Sequence, residues 1–336
     1  MSAPTGCSRI IQIHPTRRCN LRCLHCYSSS GPKERDELDA ALLCAAIDDA
    51  AREGFTVASF SGGEPLMYED LRTLLERAHD CGMLTTVTTN GTLLDRRRMA
   101  TLRGAADLLA ISLDGVPESH NEIRASPRAF DRMRSRLEAV RAAEIPFGFI
   151  FTLTQYNVNE LQWVAEFAIE QGARLLQVHP LDNVGRAREE MPGEGPDEIE
   201  SAFAFMEVAR LQEELGERIY VHLDLIDREY LREHPERVFA DEPAADSASL
   251  PFSEIVSPLV IEPDGMVVPI QHGFAREFAL GSLHAAPLSE LMASWRASRL
   301  GPFRELCRRV FRETTTPSEL PFFNWYETLT RTAVGT

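Results

Sequence analysis

Lysine is nearly missing from this chain of 336 residues: Lys33 stands alone, while arginine is abundant. That skew is read as the codon bias of a GC-rich genome, not as chemistry. Positive charge is scarce overall, since 35 Lys and Arg face 51 Asp and Glu for a formal net charge of −16. Tight, non-specific binding to nucleic acid needs a basic surface, so no nucleic-acid partner is expected. Acidity of this kind keeps a protein soluble. No apolar run is long enough to cross a bilayer, which removes the membrane as a partner. The opening MSAPTGCSRIIQIHP lacks a basic segment followed by an apolar one. Without a secretory signal, a cytoplasmic location follows. Cysteine is absent from the whole span between Cys81 and Cys307. Of the seven cysteines, Cys19, Cys23 and Cys26 sit together within eight residues. A disulfide framework would be spread through a secreted chain, so a tight group in a cytosolic one points to metal.

What is present is ordinary globular material, with 44% hydrophobic and 26% charged residues. Strand-like runs alternate with helical patterns. The strands are expected at Ile10–Ile13, Val57–Phe60, Leu84–Thr88, Leu108–Leu113, Phe147–Leu153 and Leu175–Val178. Helices are expected at Leu38–Arg52, Leu71–Cys81, Arg96–Leu102, Phe130–Ala143 and Glu160–Glu170. Six such βα repeats imply an α/β fold, a partial (β/α)6 TIM-type barrel. Residues 9–224 are assigned to it. Leu181–Pro196, rich in Gly, Pro and charge, reads as a loop, followed by a helix at Glu198–Glu214 and a strand at Ile219–Leu223. Residues 225–254, with the exposed stretch Asp241–Ser249, read as a linker or lid. Residues 255–336 form a small α+β C-terminal extension and tail. There Ile255–Ile261 and Met266–Val268 flank the turn Pro263-Asp264-Gly265, and helices are expected at Leu288–Arg299 and Pro302–Arg312.

The segment Cys19-Asn-Leu-Arg-Cys23-Leu-His-Cys26 has the form C-x3-C-x2-C and follows the first strand. Barrel enzymes place their active sites at that end. Three thiolates on one loop can grip three irons of a cubane and leave the fourth iron open. Structural zinc is the rival, with His14 or His25 as a fourth ligand, because zinc closes a tetrahedron. Three unligated thiols are the plain alternative.

Arg18–Tyr27 resembles the cluster loop of the radical S-adenosylmethionine (SAM) superfamily. Ser61-Gly62-Gly63-Glu64-Pro65 is similar to that family's GGEP motif, Thr88-Thr89-Asn90-Gly91 to its TNG, and Ile111-Ser112-Leu113-Asp114-Gly115 to its SLDG. His120-Asn121-Glu122-Ile123-Arg124 resembles the HxxxR that often follows. The resemblance spans about residues 9–190. It implies one [4Fe–4S] cluster on Cys19, Cys23 and Cys26, which reduces SAM and yields a 5′-deoxyadenosyl radical. It also implies an electron donor such as flavodoxin or ferredoxin. Gly62 and Gly63, lacking Cβ, let backbone approach the methionine end of SAM, and Glu64 accepts from its ammonium group. His25 stands beside adenine. Asn90 and Ser112 lie at ribose or carboxylate positions. Arg124 pairs with the carboxylate, unless it is a surface arginine. Asp114 orders its own loop. His179 contacts adenine through its backbone or is a packed histidine.

Residues 255–300 resemble a SPASM or twitch extension that has lost its auxiliary clusters, since the usual Pro-Cys is Pro269-Ile270 here. His272 is read as a polar pocket residue. Cys307 is either a buried small hydrophobe or a hydrogen-atom donor to a substrate radical, on a helix closing the barrel mouth. The barrel starts near Ile10, which leaves no room for an N-terminal leader-binding domain. The leading expectation is maturation of a ribosomally made peptide. The alternative is redox-neutral decarboxylation or epimerisation of a small molecule such as a sugar, nucleoside or porphyrin. A non-catalytic iron–sulfur scaffold or sensor is the alternative of another class.

Overall fold

Residues of a strand alternate between two faces, and those of a helix repeat every 3.6, so the pattern of apolar residues selects each element. The computed structural model describes residues 9–241, 250–316 and 321–334. Its central strands are β1 (Ile10–Ile13), β2 (Val57–Phe60), β3 (Leu84–Thr89), β4 (Leu108–Ser112), β5 (Phe147–Leu153), β6 (Leu175–Pro180) and β7 (Tyr220–Leu223). Each pairs in parallel with the next. Ile11, Phe60, Val87, Ile111, Phe149 and Phe151 from these strands are wholly buried. The helices between them are fixed at their starts by local chemistry. Asp39 accepts from the Ala41 and Leu42 N–H groups at 2.8 and 3.2 Å, opening the helix Ala40–Arg52. Asp197 and Glu200 form a reciprocal capping box at the start of Glu198–Leu215. Because the strands are parallel, their C-terminal ends share one face, and the loops with the expected motifs gather there.

Beyond β7 lie β8 (Ile226–Asp227), β9 (Leu259–Ile261), β10 (Met266–Pro269), β11 (Gly281–Ser282) and β12 (Phe322–Phe323). The extension does not form a sheet of its own. β9 pairs in parallel with β1, and β10 and β11 follow antiparallel, giving one sheet in the order β11-β10-β9-β1-β2-β3-β4-β5-β6-β7. The hairpin thereby covers the edge that β1 would otherwise expose. The two outer strands do not meet, so the barrel stays open. The tail spans from one flank to the other. β12 pairs with β8, Asn324 donates to Asp182 at 3.3 Å, and Gln271 donates to Thr330 at 2.8 Å.

Several expectations change. The strand read over Ile255–Ile261 is only Leu259–Ile261; a helical turn, Phe252–Ile255, precedes it, and Pro258 has no N–H for a ladder. The loop read over Leu181–Pro196 contains the turn of helix Ala187–Glu190. The His120–Arg124 motif closes a helix, Pro117–Ile123, opened by proline at its first position and capped at its end by Arg124. A terminal helix, Trp325–Val334, was not expected. Within the stretch read as linker, residues 242–249 lie outside the described residues. Among the described residues no helix is long and apolar enough to cross a membrane.

Candidate active site

The loop after β1 brings Cys19, Cys23 and Cys26 into one small cluster with Leu21. None is in a disulfide. Burial pushes the Cys19 thiol up to about 12, with Glu64, Cys23 and Cys26 adding to the shift. Burial likewise raises Cys23, and there the Arg124 guanidinium opposes it. The three sulfurs therefore share one region and feel one another's charge. Among the described residues, however, no three His, Cys, Asp or Glu side chains converge as a single metal ion requires. Neither histidine of the zinc alternative joins them. His14 Nε2 lies 3.3 Å from the Tyr27 hydroxyl, and His25 Nε2 is 4.0 Å from Asp114. Cys19 and Cys23, which burial keeps protonated, share one loop with Cys26, and three thiols so grouped fit a multi-iron cationic cluster in which each sulfur takes its own iron.

The loop is braced from the ends of β2, β3, β4 and β6. From β2, the Gly63 and Glu64 N–H groups donate to the Thr16 and Arg18 carbonyls at 2.9 and 2.8 Å. A Cβ on Gly62 would stand 2.8 Å from His14 Cβ, and one on Gly63 would collide with the Arg18 carbonyl. The close approach these glycines permit is thus to the cysteine loop itself. Glu64 is also corrected. It is wholly buried and accepts from Thr89 Oγ1 at 2.8 Å, Asn90 N at 2.9 Å and Leu66 N at 3.2 Å. Its carboxylate ties β2 to β3 rather than facing a ligand. Burial nonetheless raises its pKa against those three donors.

From β3, Asn90 Nδ2 donates to Asn20 Oδ1 at 2.9 Å and stands 3.9 Å from Cys19 Sγ. From β4, Ser112 is buried at the strand end, and Asp114 follows it. Asp114 does more than order its own loop. Its Oδ2 accepts from Arg124 Nε at 2.5 Å and its Oδ1 from Thr152 N at 3.3 Å. Burial alone would raise the carboxyl, but Arg124, then His25 and His120, hold it down at about 2. The partner expected for Arg124 was a ligand carboxylate; the structure gives it Asp114, and its Nη1 lies 3.7 Å from Cys23 Sγ. Burial lowers His25 to about 4, and Arg124 and Arg186 contribute, so its ring is neutral near pH 7.

Around the end of β6 lies a wetter group. His179 is half-exposed rather than packed, and its Nδ1 pairs with the Asp224 carboxylate. Burial works against the imidazolium, yet Asp224 outweighs it and raises the His179 pKa. His222 Nε2 reaches the other Asp224 oxygen at 3.0 Å. Asp182 is pushed up to about 6, first by burial and then by Glu327 of the terminal helix. Sequence reasoning missed Asp182, Asp224, Glu327 and Arg186. The Gly185-Arg186 pair just past the sixth strand was the one available signal. At the other flank, His272 of the extension stacks on His14 at 5.2 Å and meets Tyr27 edge-on at 5.3 Å. Cys307 lies elsewhere. It is wholly buried in the main core on the helix Leu300–Thr314, and burial raises its thiol strongly. A donor must touch its substrate, so this is the packing of a small hydrophobe. Cys44 is half-buried on the helix Ala40–Arg52, and Cys81, also half-buried, caps the C-terminus of the helix Leu71–Asp80; both lie outside the cysteine loop.

The Radical SAM superfamily matches residues 13–168. The Fe-coproporphyrin III synthase of Methanosarcina barkeri is 34% identical over 179 residues, 53% of this chain and 45% of that protein. The PqqA peptide cyclase of Ruegeria pomeroyi is 28% identical over 276 residues, 80% of this chain and 68% of that one. This chain spans about half the length of the first of these curated relatives. Among solved structures, native anSMEcpe with bound AdoMet and Cp18Cys peptide aligns with a TM-score of 0.68 at 17% identity. That alignment covers 97% of this chain and 95% of the other, so the fold, extension included, is shared.

Proposed function

We propose that this chain is a radical SAM enzyme in which Cys19, Cys23 and Cys26 hold one [4Fe–4S] cluster at which SAM is cleaved. When bound, the cluster and SAM together would supply a 5′-deoxyadenosyl radical able to take hydrogen from substrate. The observation that carries this reading is the grouping of three thiols free of disulfides, Cys19 and Cys23 buried and Cys26 half-buried, on a loop braced from four strand ends. Arg124 aims a charged donor at Cys23 and favours its thiolate, and Asn90 Nδ2 stands 3.9 Å from Cys19 Sγ. The Gly62–Gly63 backbone, His25, Asn90, Ser112 and His179 line the remaining strand ends and are assigned to SAM. A small one-electron donor of the flavodoxin or ferredoxin type completes the system in the cytoplasm.

The substrate we assign is a ribosomally made peptide. The cyclase relative named for a peptide spans most of this chain. The mouth offers Asp182, Asp224 and Glu327 against His179 and His222, a setting that welcomes ammonium groups and repels carboxylates. Porphyrin chemistry is the second reading, favoured by the 34% identity to the coproporphyrin enzyme. Propionate side chains would meet those same carboxylates. Incubating reduced, cluster-loaded protein with SAM tests the first claim. Formation of 5′-deoxyadenosine supports an enzyme, and its absence would leave an iron–sulfur scaffold.

A further inference from the structure

We propose that Arg186 is a positioning residue that holds the cysteine loop in its cluster-binding shape before iron arrives. This rests on the assignment of Cys19, Cys23 and Cys26 as ligands. Arg186 meets the loop at three points. Its Nη1 donates to the Cys23 carbonyl at 2.7 Å, its Nη2 to the Ser30 carbonyl at 2.6 Å, and its backbone N–H to the Cys26 carbonyl at 3.0 Å. One residue therefore bridges both ends of the turn that contains Cys26 and also grips its middle.

The surroundings make these bonds count. Arg186 is only 8% exposed, so water does not compete for the carbonyls. Charged donors on buried acceptors form the stronger class of hydrogen bond. The fork of the guanidinium suits two carbonyls at a fixed separation; the single ammonium of lysine does not. The neighbouring Gly185, at φ +58°, fits flush against the loop, because any Cβ there would collide with the Tyr27 carbonyl. The strap is itself anchored. It leaves β6 at Leu181, whose N–H donates to the Leu153 carbonyl at 2.8 Å, and Asp182 accepts from Asn324. Sequence distance is bridged in a useful direction: a strand end of the mouth fixes the ligands after the first strand.

Metal-free protein provides the test, since the strap acts without iron. Arg22 lies inside the loop with its side chain 58% exposed, so trypsin cleavage after it reports loop opening. Arg186→Met and Arg186→Lys should be cut at least about tenfold faster than wild type. Arg188→Gln, an exposed change on the same segment, should be cut at the wild-type rate. After anaerobic reconstitution, a chelator should strip iron from Arg186→Lys at least about tenfold faster as well. Should Arg186→Met fail to fold, Arg186→Lys, which keeps the charge and the stem, decides the matter. Wild-type rates for cleavage and iron loss in Arg186→Lys overturn the strap while leaving the ligands in place. A wild-type chain that takes up no iron overturns the ligand assignment, and the strap's role with it.

Discussion

Two charged centres stand at the same end of the barrel and are built in opposite ways. Beneath the cysteine loop, Asp114 and Arg124 form a dry pair, the carboxyl wholly buried and held at about 2. At the ends of β6 and β7, His179, Asp182 and Asp224 are partly open, and Asp182 titrates near neutrality at about 6. The dry pair stays ionised at any working pH, as a frame must. The wet group can change its charge when a substrate or proton arrives, as a binding mouth must. Burial is at work in both. What separates them is whether a permanent cation stands opposite the carboxyl.

The comparison breaks most visibly at the frame. Cys23→Ala should abolish iron retention and SAM cleavage, whereas Cys44→Ala and Cys81→Ala should keep both. Loss of the cluster from folded Cys44→Ala would move the ligands elsewhere. Next, Asp114→Asn leaves the buried Arg124 without its counter-charge and should cost about 3–5 kcal/mol, read as a lowered denaturation midpoint. A cost below about 1 kcal/mol would make the pair a surface-like one.

Acid and base should then act on the two centres with opposite sign. Asp114 has a depressed pKa, so its contribution is present above its ordinary value of 3.8 and is lost as pH falls through about 2. Asp182 has a raised pKa, so its contribution is fully present below 3.8 and is lost as pH rises through about 6. Asp182→Asn should therefore gain stability over wild type between pH 5 and pH 7. Allowing for partial exposure, the gain is about 1–2 kcal/mol. A pH-independent difference would mean that Asp182 titrates normally.

The smallest effect concerns Cys307. Cys307→Ala should lose about 1–2 kcal/mol from the core and still cleave SAM with full product yield. Aberrant product instead, with wild type placing deuterium from D₂O at the altered carbon, would restore the hydrogen-donor role.

Sequence patterns revealed the frame better than the mouth, for a physical reason. Strand limits such as Val57–Phe60 and Phe147–Leu153 are local patterns, and the structure keeps them. The Cys19–Cys26 loop and Ser61–Pro65 are equally local. Side-chain partners are not. Nothing near Glu64 announces Thr89 and Asn90, and nothing near Arg124 announces that Asp114 turns back onto it. The mouth draws on Asn324, just ahead of the terminal helix and 142 residues from Asp182 along the chain. The hairpin turn at Pro263–Gly265 was legible, but its docking on β1 depends on an edge that only the folded sheet creates.

Metal content per chain after anaerobic reconstitution tests the central claim most directly. One cubane on three cysteines predicts about four irons and about four sulfides, lost together in Cys23→Ala. About eight irons, or zinc in place of iron, would contradict it.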